Sequence, residues 1–127
     1  GVLFTPDGNS LITASYDRTI KVWDLVNSNL VYTLKGHTGR IRAIALHPNG
    51  KILASTSDDG IRLWHLPTGQ LITHLEDHKD WVGSVAFSQN GKLMATGGYD
   101  FTVKVWQIPT LADESTEDEL EEVSEKN

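Results

Sequence analysis

Ile20-Lys21-Val22-Trp23, Ile61-Arg62-Leu63-Trp64 and Val103-Lys104-Val105-Trp106 are three copies of one pattern in this 127-residue chain. Each copy places a β-branched residue, a basic residue, an apolar residue and a tryptophan in that order. The tryptophans lie 41 and 42 residues apart. A period of this length indicates one supersecondary unit that is repeated, with each copy burying its apolar face against the next.

The residues around each tryptophan predict short strands joined by tight turns. Each copy contains a turn that ends in glycine, and these turns are Pro6-Asp7-Gly8, Pro48-Asn49-Gly50 and Gln89-Asn90-Gly91. Apolar runs of strand length precede and follow each turn, which is typical of buried strands rather than helices. We therefore predict an all-β fold of four-stranded antiparallel sheets.

Histidines and aspartates recur at fixed offsets from these turns. An aspartate follows each turn glycine by nine residues, and in two copies a histidine precedes that aspartate by 22 residues. The residues concerned are Asp17, Asp59, Asp100, His37 and His78. Both spacings select Asp59 over Asp58 in the middle copy, which then lacks one residue between Asp59 and Trp64. We expect Asp59-Gly60 to form a compact hairpin turn there.

These recurrences resemble the WD-repeat family of β-propellers over residues 1–108. The resemblance implies three propeller blades, at about 1–34, 35–75 and 76–108, in an incomplete ring. It implies that the first blade is incomplete at its N-terminal end and that the last lacks its outer strand. Residues 109–127 would follow as an acidic C-terminal tail.

The resemblance also implies a hydrogen-bonded tetrad of histidine, hydroxyl, aspartate and tryptophan inside each blade. The middle blade matches it with His37, Ser57, Asp59 and Trp64. The third has His78, Asp100 and Trp106, with Gly98 where the hydroxyl is expected, and the first has Ser15, Asp17 and Trp23.

Three blades would leave two blade faces uncovered and at least one strand edge unpaired. We therefore expect this chain to be the C-terminal sector of a longer propeller whose remaining blades come from missing N-terminal sequence. Assembly of several copies into one ring is the alternative. This assembly is less favoured because the third blade of every copy would still lack its outer strand.

The charge is concentrated at one end of the chain. Of the net charge of −6, residues 109–127 carry eight acids and one lysine, so the repeats are close to neutral. Such a tail is expected to be disordered. The neutral repeats argue against nucleic acid as a partner, and no apolar stretch approaches the ~20 residues of a membrane helix. The absence of cysteine is compatible with a cytoplasmic location.

The residues that could carry chemistry favour a structural interpretation. No pair of histidines has the spacing of metal ligands, so we expect no metal and no cofactor. The arrangement of His37, Ser57 and Asp59 has the residue types of a hydrolase site, but its His–Asp spacing recurs in a second copy, which is untypical of a catalytic triad.

Two kinds of position are candidates for partner binding. In the WD-repeat family, the residue before each tetrad aspartate and the residues at the start of an inner strand open onto a top rim around the central channel. Here these positions hold residue types that are enriched at interface hot spots. They are Tyr16, Arg40, Arg42, Asp58, Trp81 and Tyr99. Strand alternation predicts Arg40 and Arg42 on one face, with Ile41 on the other.

The favoured function is a non-enzymatic scaffold that binds a partner protein or peptide on this rim. The alternative is a docking or regulatory module of a longer multidomain protein, with a catalytic domain N-terminal to this sequence. An enzymatic propeller with a metal in its channel is disfavoured by the histidine spacings.

Overall fold

The computed structural model describes residues 1–108 and the backbone of residues 121–126. Within them the chain forms twelve β-strands and no helix. The first sheet contains β1 (Val2–Phe4), β2 (Ser10–Ala14), β3 (Ile20–Asp24) and β4 (Asn29–Leu34). The second contains β5 (Ile41–Leu46), β6 (Ile52–Ser57), β7 (Gly60–His65) and β8 (Gln70–Leu75). The third contains β9 (Val82–Phe87), β10 (Leu93–Gly98), β11 (Val103–Gln107) and β12 (Glu121–Lys126).

Each sheet is a blade in which neighbouring strands follow one another along the chain and pair antiparallel. The glycine turns join the first two strands of every blade. Gly8, Gly50 and Gly91 each adopt a φ of 73°, a left-handed conformation that glycine reaches without a Cβ clash. The all-β prediction of antiparallel four-stranded blades is confirmed.

The prediction that the third blade lacks its outer strand is wrong. Residues 121–126, assigned to the tail from their acidity, form β12 and pair with β11 from Gln107↔Glu121 to Val103↔Lys126. The physical reason is that β11 would otherwise present a row of unpaired backbone N–H and C=O groups. Backbone hydrogen bonds satisfy those groups whatever the polarity of the side chains. The remainder of the predicted disordered tail, residues 109–120 and 127, lies outside the described residues.

The first blade, which was expected to be incomplete, contains all four strands. Its inner strand β1 has three residues, whereas β5 and β9 have six each. Across residues 1–108 and 121–126 there is no helix long and apolar enough to cross a membrane.

The blades pack face to face through two hydrophobic clusters, with β5 against β1 on one side and against β9 on the other. The cluster between blades 1 and 2 includes Ile12, Leu53 and Trp64. The cluster between blades 2 and 3 includes Leu63 and Trp106. Each of these tryptophans is therefore covered by the blade that precedes its own.

Trp23 occupies the equivalent place in blade 1 but lacks such a cover among the described residues. Trp64 and Trp106 are 3% and 2% exposed, whereas Trp23 is only partly buried. The cross-strand pairs place Phe4 on the same face as Trp23, and Val2 lies there too. We call this surface the leading face of blade 1. The opposite outer surface, the trailing face of blade 3, carries Leu93 and Val103, both exposed.

Candidate functional site

Two kinds of loop meet at one end of the blades. The second and third strands of each blade are joined there, and the outer strand of one blade leads there into the inner strand of the next. We call this end the top rim. It carries the six predicted partner-binding residues, and the predicted tetrads lie directly beneath it.

A continuous chain of hydrogen bonds crosses the middle blade. The indole Nε1–H of Trp64 donates to Oγ of Ser55 at 2.9 Å, and that oxygen lies 2.6 Å from Nε2 of His37. Nδ1 of His37 lies 2.7 Å from Oδ1 of Asp59. The backbone N–H of Thr38 donates to the other carboxylate oxygen at 2.8 Å. The network ties the loop before β5 to both strands of the β6–β7 hairpin.

The electrostatics of this network favour a neutral histidine beside an ionised carboxylate. Burial disfavours the charged form of His37 and lowers its pKa below the ordinary value, against the attraction of Asp59. Burial also opposes ionisation of Asp59, but hydrogen bonds from Thr38, His37 and Arg62 outweigh it and hold the pKa of Asp59 far below its ordinary value. The proton on the imidazole therefore lies on Nδ1, facing Asp59, and Nε2 accepts a hydrogen bond from the hydroxyl of Ser55.

The third blade repeats the arrangement with a threonine. Trp106 Nε1–H donates to Oγ1 of Thr96 at 3.1 Å, and the same oxygen lies 2.8 Å from Nε2 of His78. His78 Nδ1 lies 3.1 Å from Oδ2 of Asp100. Burial opposes ionisation of Asp100, yet hydrogen bonds from Thr102, Lys79 and His78 hold the pKa of its carboxyl far below the usual range.

The predicted hydroxyl positions are wrong by two residues in every blade. The tetrad hydroxyl of the middle blade belongs to Ser55 rather than Ser57. In the third blade it belongs to Thr96, two residues before Gly98. In blade 1, Trp23 donates to Thr13 rather than Ser15, at 3.1 Å.

Strand register explains the shift. Each tryptophan pairs with an apolar residue of the neighbouring strand, and the hydroxyl that its indole reaches stands two residues further along. Ser57 is displaced by a further two residues, about 7 Å along the strand, where its Oγ accepts the Asp59 N–H at 3.4 Å. The sequence held a usable signal, because Thr13, Ser55 and Thr96 each follow the turn glycine by five residues.

The hairpin above the middle tetrad is one residue shorter than its equivalents. Ser57 pairs directly with Gly60, so the turn is Asp58-Asp59, and the predicted Asp59-Gly60 turn is displaced by one residue. In blades 1 and 3 the loop contains an additional left-handed residue, Arg18 or Phe101, with φ of 77° and 66°. Deletion of that residue moves the positive φ onto Gly60, at 113°.

The predicted binding residues of blades 2 and 3 form one cluster on the rim. Arg42 Nε–H donates to Oδ1 of Asp58 at 2.7 Å, and its guanidinium carbon lies 4.0 Å from the ring centroid of Trp81. Trp81 and Tyr99 contact each other with centroids 5.6 Å apart. The hydrogen bond to Asp58 raises the pKa of Arg42 above its ordinary value. The cluster therefore presents a permanent cation held against two aromatic rings.

The other two predicted residues form a second pair. Arg40 extends over the ring of Tyr16 in blade 1, 5.5 Å from its centroid, whereas Arg42 extends towards blade 3. The expectation that the two arginines share one face is therefore wrong. A β-bulge is the cause, because Ile41 pairs with Ser57 and Ala43 with Thr56, which leaves Arg42 as the extra residue.

Two glycines make room for the rim side chains. Gly83 stands at the position in blade 3 that Arg42 occupies in blade 2, and a Cβ there would lie 2.9 Å from the ring of Tyr99. A Cβ on Gly39 would lie 2.6 Å from that of Asp58. The close approach of these backbones allows Tyr99 and Asp58 to face Arg42.

Comparison with known proteins agrees with this architecture. The family model described as "WD domain, G-beta repeat" matches residues 1–24, 28–65 and 69–107. Each match contains one of the repeated tryptophans, and the second and third matches begin with the outer strand of the preceding blade. This chain belongs to the WD-repeat family. The two complete tetrads, in blades 2 and 3, therefore lie in blades built from WD repeats.

Individual relatives each match less than half of the chain. The human U5 small nuclear ribonucleoprotein 40 kDa protein is 39% identical over 54 residues, which are 42% of this chain and 15% of that protein. The Lissencephaly-1 homolog of Caenorhabditis briggsae is 40% identical over 55 residues, 41% of this chain and 14% of that protein. The small ribosomal subunit protein RACK1y of rice (Oryza sativa subsp. japonica) is 39% identical over 56 residues, which are 42% of this chain and 17% of that protein. The chain therefore matches well under a quarter of the length of each relative.

Phe101 is a rim residue that the sequence analysis missed. It lies in the same WD-blade loop as Tyr99 and is 86% exposed. Phe101 occupies the same loop position in blade 3 as Arg18 does in blade 1, which places it on the rim. An aromatic residue in a turn is the sequence signal that could have identified it. Among the described residues, no group of three His, Asp or Glu side chains is arranged to hold a metal ion.

Proposed function

We propose that this WD-repeat chain is a non-enzymatic scaffold that binds a partner protein or peptide on its top rim. WD repeats generally serve as platforms for protein–protein interaction. The observation that carries the proposal is the stacking of Arg42 on Trp81, 4.0 Å from the ring centroid, beside an exposed Tyr99. Arginine, tryptophan and tyrosine are the residue types that dominate interface energetics.

The exposure of these rings supports a binding role over a purely structural one. Trp81 is 42% exposed and Tyr99 is 57% exposed, so each leaves apolar area in water that a partner could cover. Their mutual contact and the Arg42 stack hold the rings in place before a partner arrives. Such pre-organisation lowers the entropy cost of binding.

The tetrad supports the non-enzymatic part of the proposal. Ser55 is fully buried, and its hydroxyl is engaged by both Trp64 and His37. A nucleophile must be exposed and free to attack a substrate. The hydrogen bonds among His37, Ser55 and Asp59 are therefore better explained by a role in stabilising the blade than by a role in catalysis.

The test begins with affinity capture of a partner on the chain, followed by titration of that purified partner against variants. Trp81→Ala and Tyr99→Ala should each weaken binding by about tenfold or more, with the melting temperature near that of the wild type. Leu71→Ala is the matched control, because Leu71 is an exposed apolar residue on the outer strand β8. Equal weakening by Leu71→Ala, or unchanged binding in both rim variants, would contradict the proposal.

We also propose that further WD blades cover the leading face of blade 1 and the trailing face of blade 3. The support is the partial burial of Trp23, since its equivalents Trp64 and Trp106 are both covered by a preceding blade. Trp81 is also exposed, so the emission of Trp23 is taken as the difference between the wild type and Trp23→Phe. Acrylamide should quench that difference in the 127-residue chain and should fail to quench it when additional blades are present. Unchanged quenching in the longer protein would contradict this proposal.

A further inference from the structure

We propose that Arg42 is a receptor for a carboxylate, so that the partner bound on the rim presents an acidic side chain or a free C-terminus there. The inference rests on the proposed rim function and adds the chemistry of the ligand. It starts from how the guanidinium of Arg42 is held and from which of its donors are used.

Arg42 is fixed on two sides. Oδ1 of Asp58 accepts a hydrogen bond from the Nε–H of Arg42 at 2.7 Å. The ring of Trp81 covers one face of the guanidinium, with the ring centroid 4.0 Å from the central carbon. The β-bulge at Arg42 directs the side chain towards blade 3, where the ring centroid of Tyr99 lies 5.9 Å from the same guanidinium carbon. The side chain retains 19% exposure.

The outer edge of the guanidinium remains available. Among residues 1–108, whose side chains the structure describes, Arg42 donates only through Nε, so Nη1 and Nη2 have no acceptor there. These two groups point the same way in a planar fork, which matches the two oxygens of a carboxylate. An arginine held in one orientation loses less entropy when it forms such a pair.

The surroundings favour an anion over a cation as ligand. The guanidinium of Arg42 already covers the face of Trp81, so a cationic partner group would have to displace it. Asp58 offsets the charge of Arg42, and the exposed Arg40 adds a positive charge for which the described residues provide no ion pair. Arg40, Arg42 and Asp58 lie on the same rim and together carry one net positive charge, although Arg40 extends over Tyr16 and away from Arg42.

The test uses the full 127-residue chain and four synthetic peptides in titration calorimetry. The first is acetyl-Gly-Ser-Glu-Val-Ser-Gly-amide, and the second and third replace Glu by Gln or Lys. The fourth is the Gln peptide with a free C-terminal carboxylate, so comparison of the first and fourth separates an acidic side chain from a chain end. At least one carboxylate peptide should bind about tenfold or more tightly than the Gln amide, and added salt should weaken that binding.

Variants locate the effect at Arg42. Arg42→Ala should abolish the preference for the carboxylate peptide, and Arg42→Lys, which keeps the charge but loses the fork, should retain only part of it. Lys92→Ala is the control, because it removes an equal charge from the turn at the other end of β10. Melting temperatures of all variants show whether each is folded.

The outcomes separate this inference from the proposed function. Equal binding of all four peptides, a preference for the Lys peptide, or no measurable binding of either carboxylate peptide would overturn the assignment of Arg42. Partner capture that still depends on Trp81 and Tyr99 would leave the rim function standing. Loss of that dependence would instead overturn the rim function itself.

Discussion

The indole Nε1–H of Trp64 donates to Oγ of Ser55 across 2.9 Å, and both residues are buried, with Ser55 fully removed from solvent. Ser55→Ala should destabilise the protein by about 2–3 kcal/mol, because it leaves the indole N–H and Nε2 of His37 without partners in the core. Urea unfolding measures the change. Ser57→Ala is the matched control and should cost less, since its Oγ accepts one long bond of 3.4 Å from Asp59. A larger loss for Ser57→Ala would contradict the tetrad described for this blade.

Acid should destabilise the fold in two steps. His37 has a lowered pKa in the folded protein, so its contribution to the free energy of unfolding is present above its ordinary pKa of about 6.5 and is lost as the pH falls through the folded value. The carboxyls of Asp59 and Asp100 also have lowered pKa values, so their contribution is present above about 4 and is lost as the pH falls further.

Urea unfolding at a series of pH values checks these steps. The free energy of unfolding should decline below about pH 6.5 and decline again below about pH 4. Asp59→Asn should weaken the lower step, whereas Asp77→Asn, at an exposed position, should leave it intact. Stability that is constant from pH 7 to pH 3 would contradict the neutral histidine and ionised aspartate described here.

Gly60 should tolerate no side chain. Its φ is 113°, and a Cβ would meet the backbone carbonyl oxygen of Leu75, which cannot move without disturbing β8. Gly8→Ala is the control, because Gly8 also has a positive φ but its Cβ would meet nothing within 4 Å. Gly8→Ala should cost about 1–2 kcal/mol of backbone strain, and Gly60→Ala should cost more in thermal or urea unfolding. Equal losses would show that the backbone conformation alone determines the effect.

The repeat-equivalent tryptophans should contribute unequally to stability. Trp106→Ala removes a side chain that is 2% exposed between two blades and should cost about 3–5 kcal/mol. Trp23→Ala should cost less, because Trp23 is partly exposed on the leading face of blade 1. Chemical denaturation of both variants compares them, and equal losses would indicate that another part of the molecule covers Trp23.

The leading face of blade 1 and the trailing face of blade 3 should promote self-association. Phe4 is 65% exposed on the leading face and Val103 is 50% exposed on the trailing face, and apolar faces of this kind favour association. Light scattering should show less association for Phe4→Lys and Val103→Lys. Val26→Lys is the control, since Val26 is 69% exposed but lies in the β3–β4 loop. An equal reduction by Val26→Lys would point to net charge as the cause.

Much of the site could be predicted where it depends on spacing along the chain. The nine-residue offset pointed to Asp59 over Asp58, and in the structure His37 contacts Asp59 at 2.7 Å. The hydroxyl was misassigned to Ser57 because two serines of β6 share one face, and only the cross-strand register shows which one the indole reaches. The divergence of Arg40 and Arg42 could not be predicted by alternation, because a bulge interrupts the period of the strand.

By itself, the sequence determined the repeat, the strands and the three glycine turns of residues 1–108, and the positions of the recurring histidines and aspartates. These features follow from local preferences: glycine at positive φ closes the turns, and the spacing of apolar residues sets the faces of the strands. The tertiary structure alone decided that Glu121–Lys126 pairs with β11, that Trp23 is less buried than Trp64, and that Arg42 lies over Trp81. Each of these depends on which surface lies next to a residue in space, and the residues that provide that surface lie elsewhere in the chain.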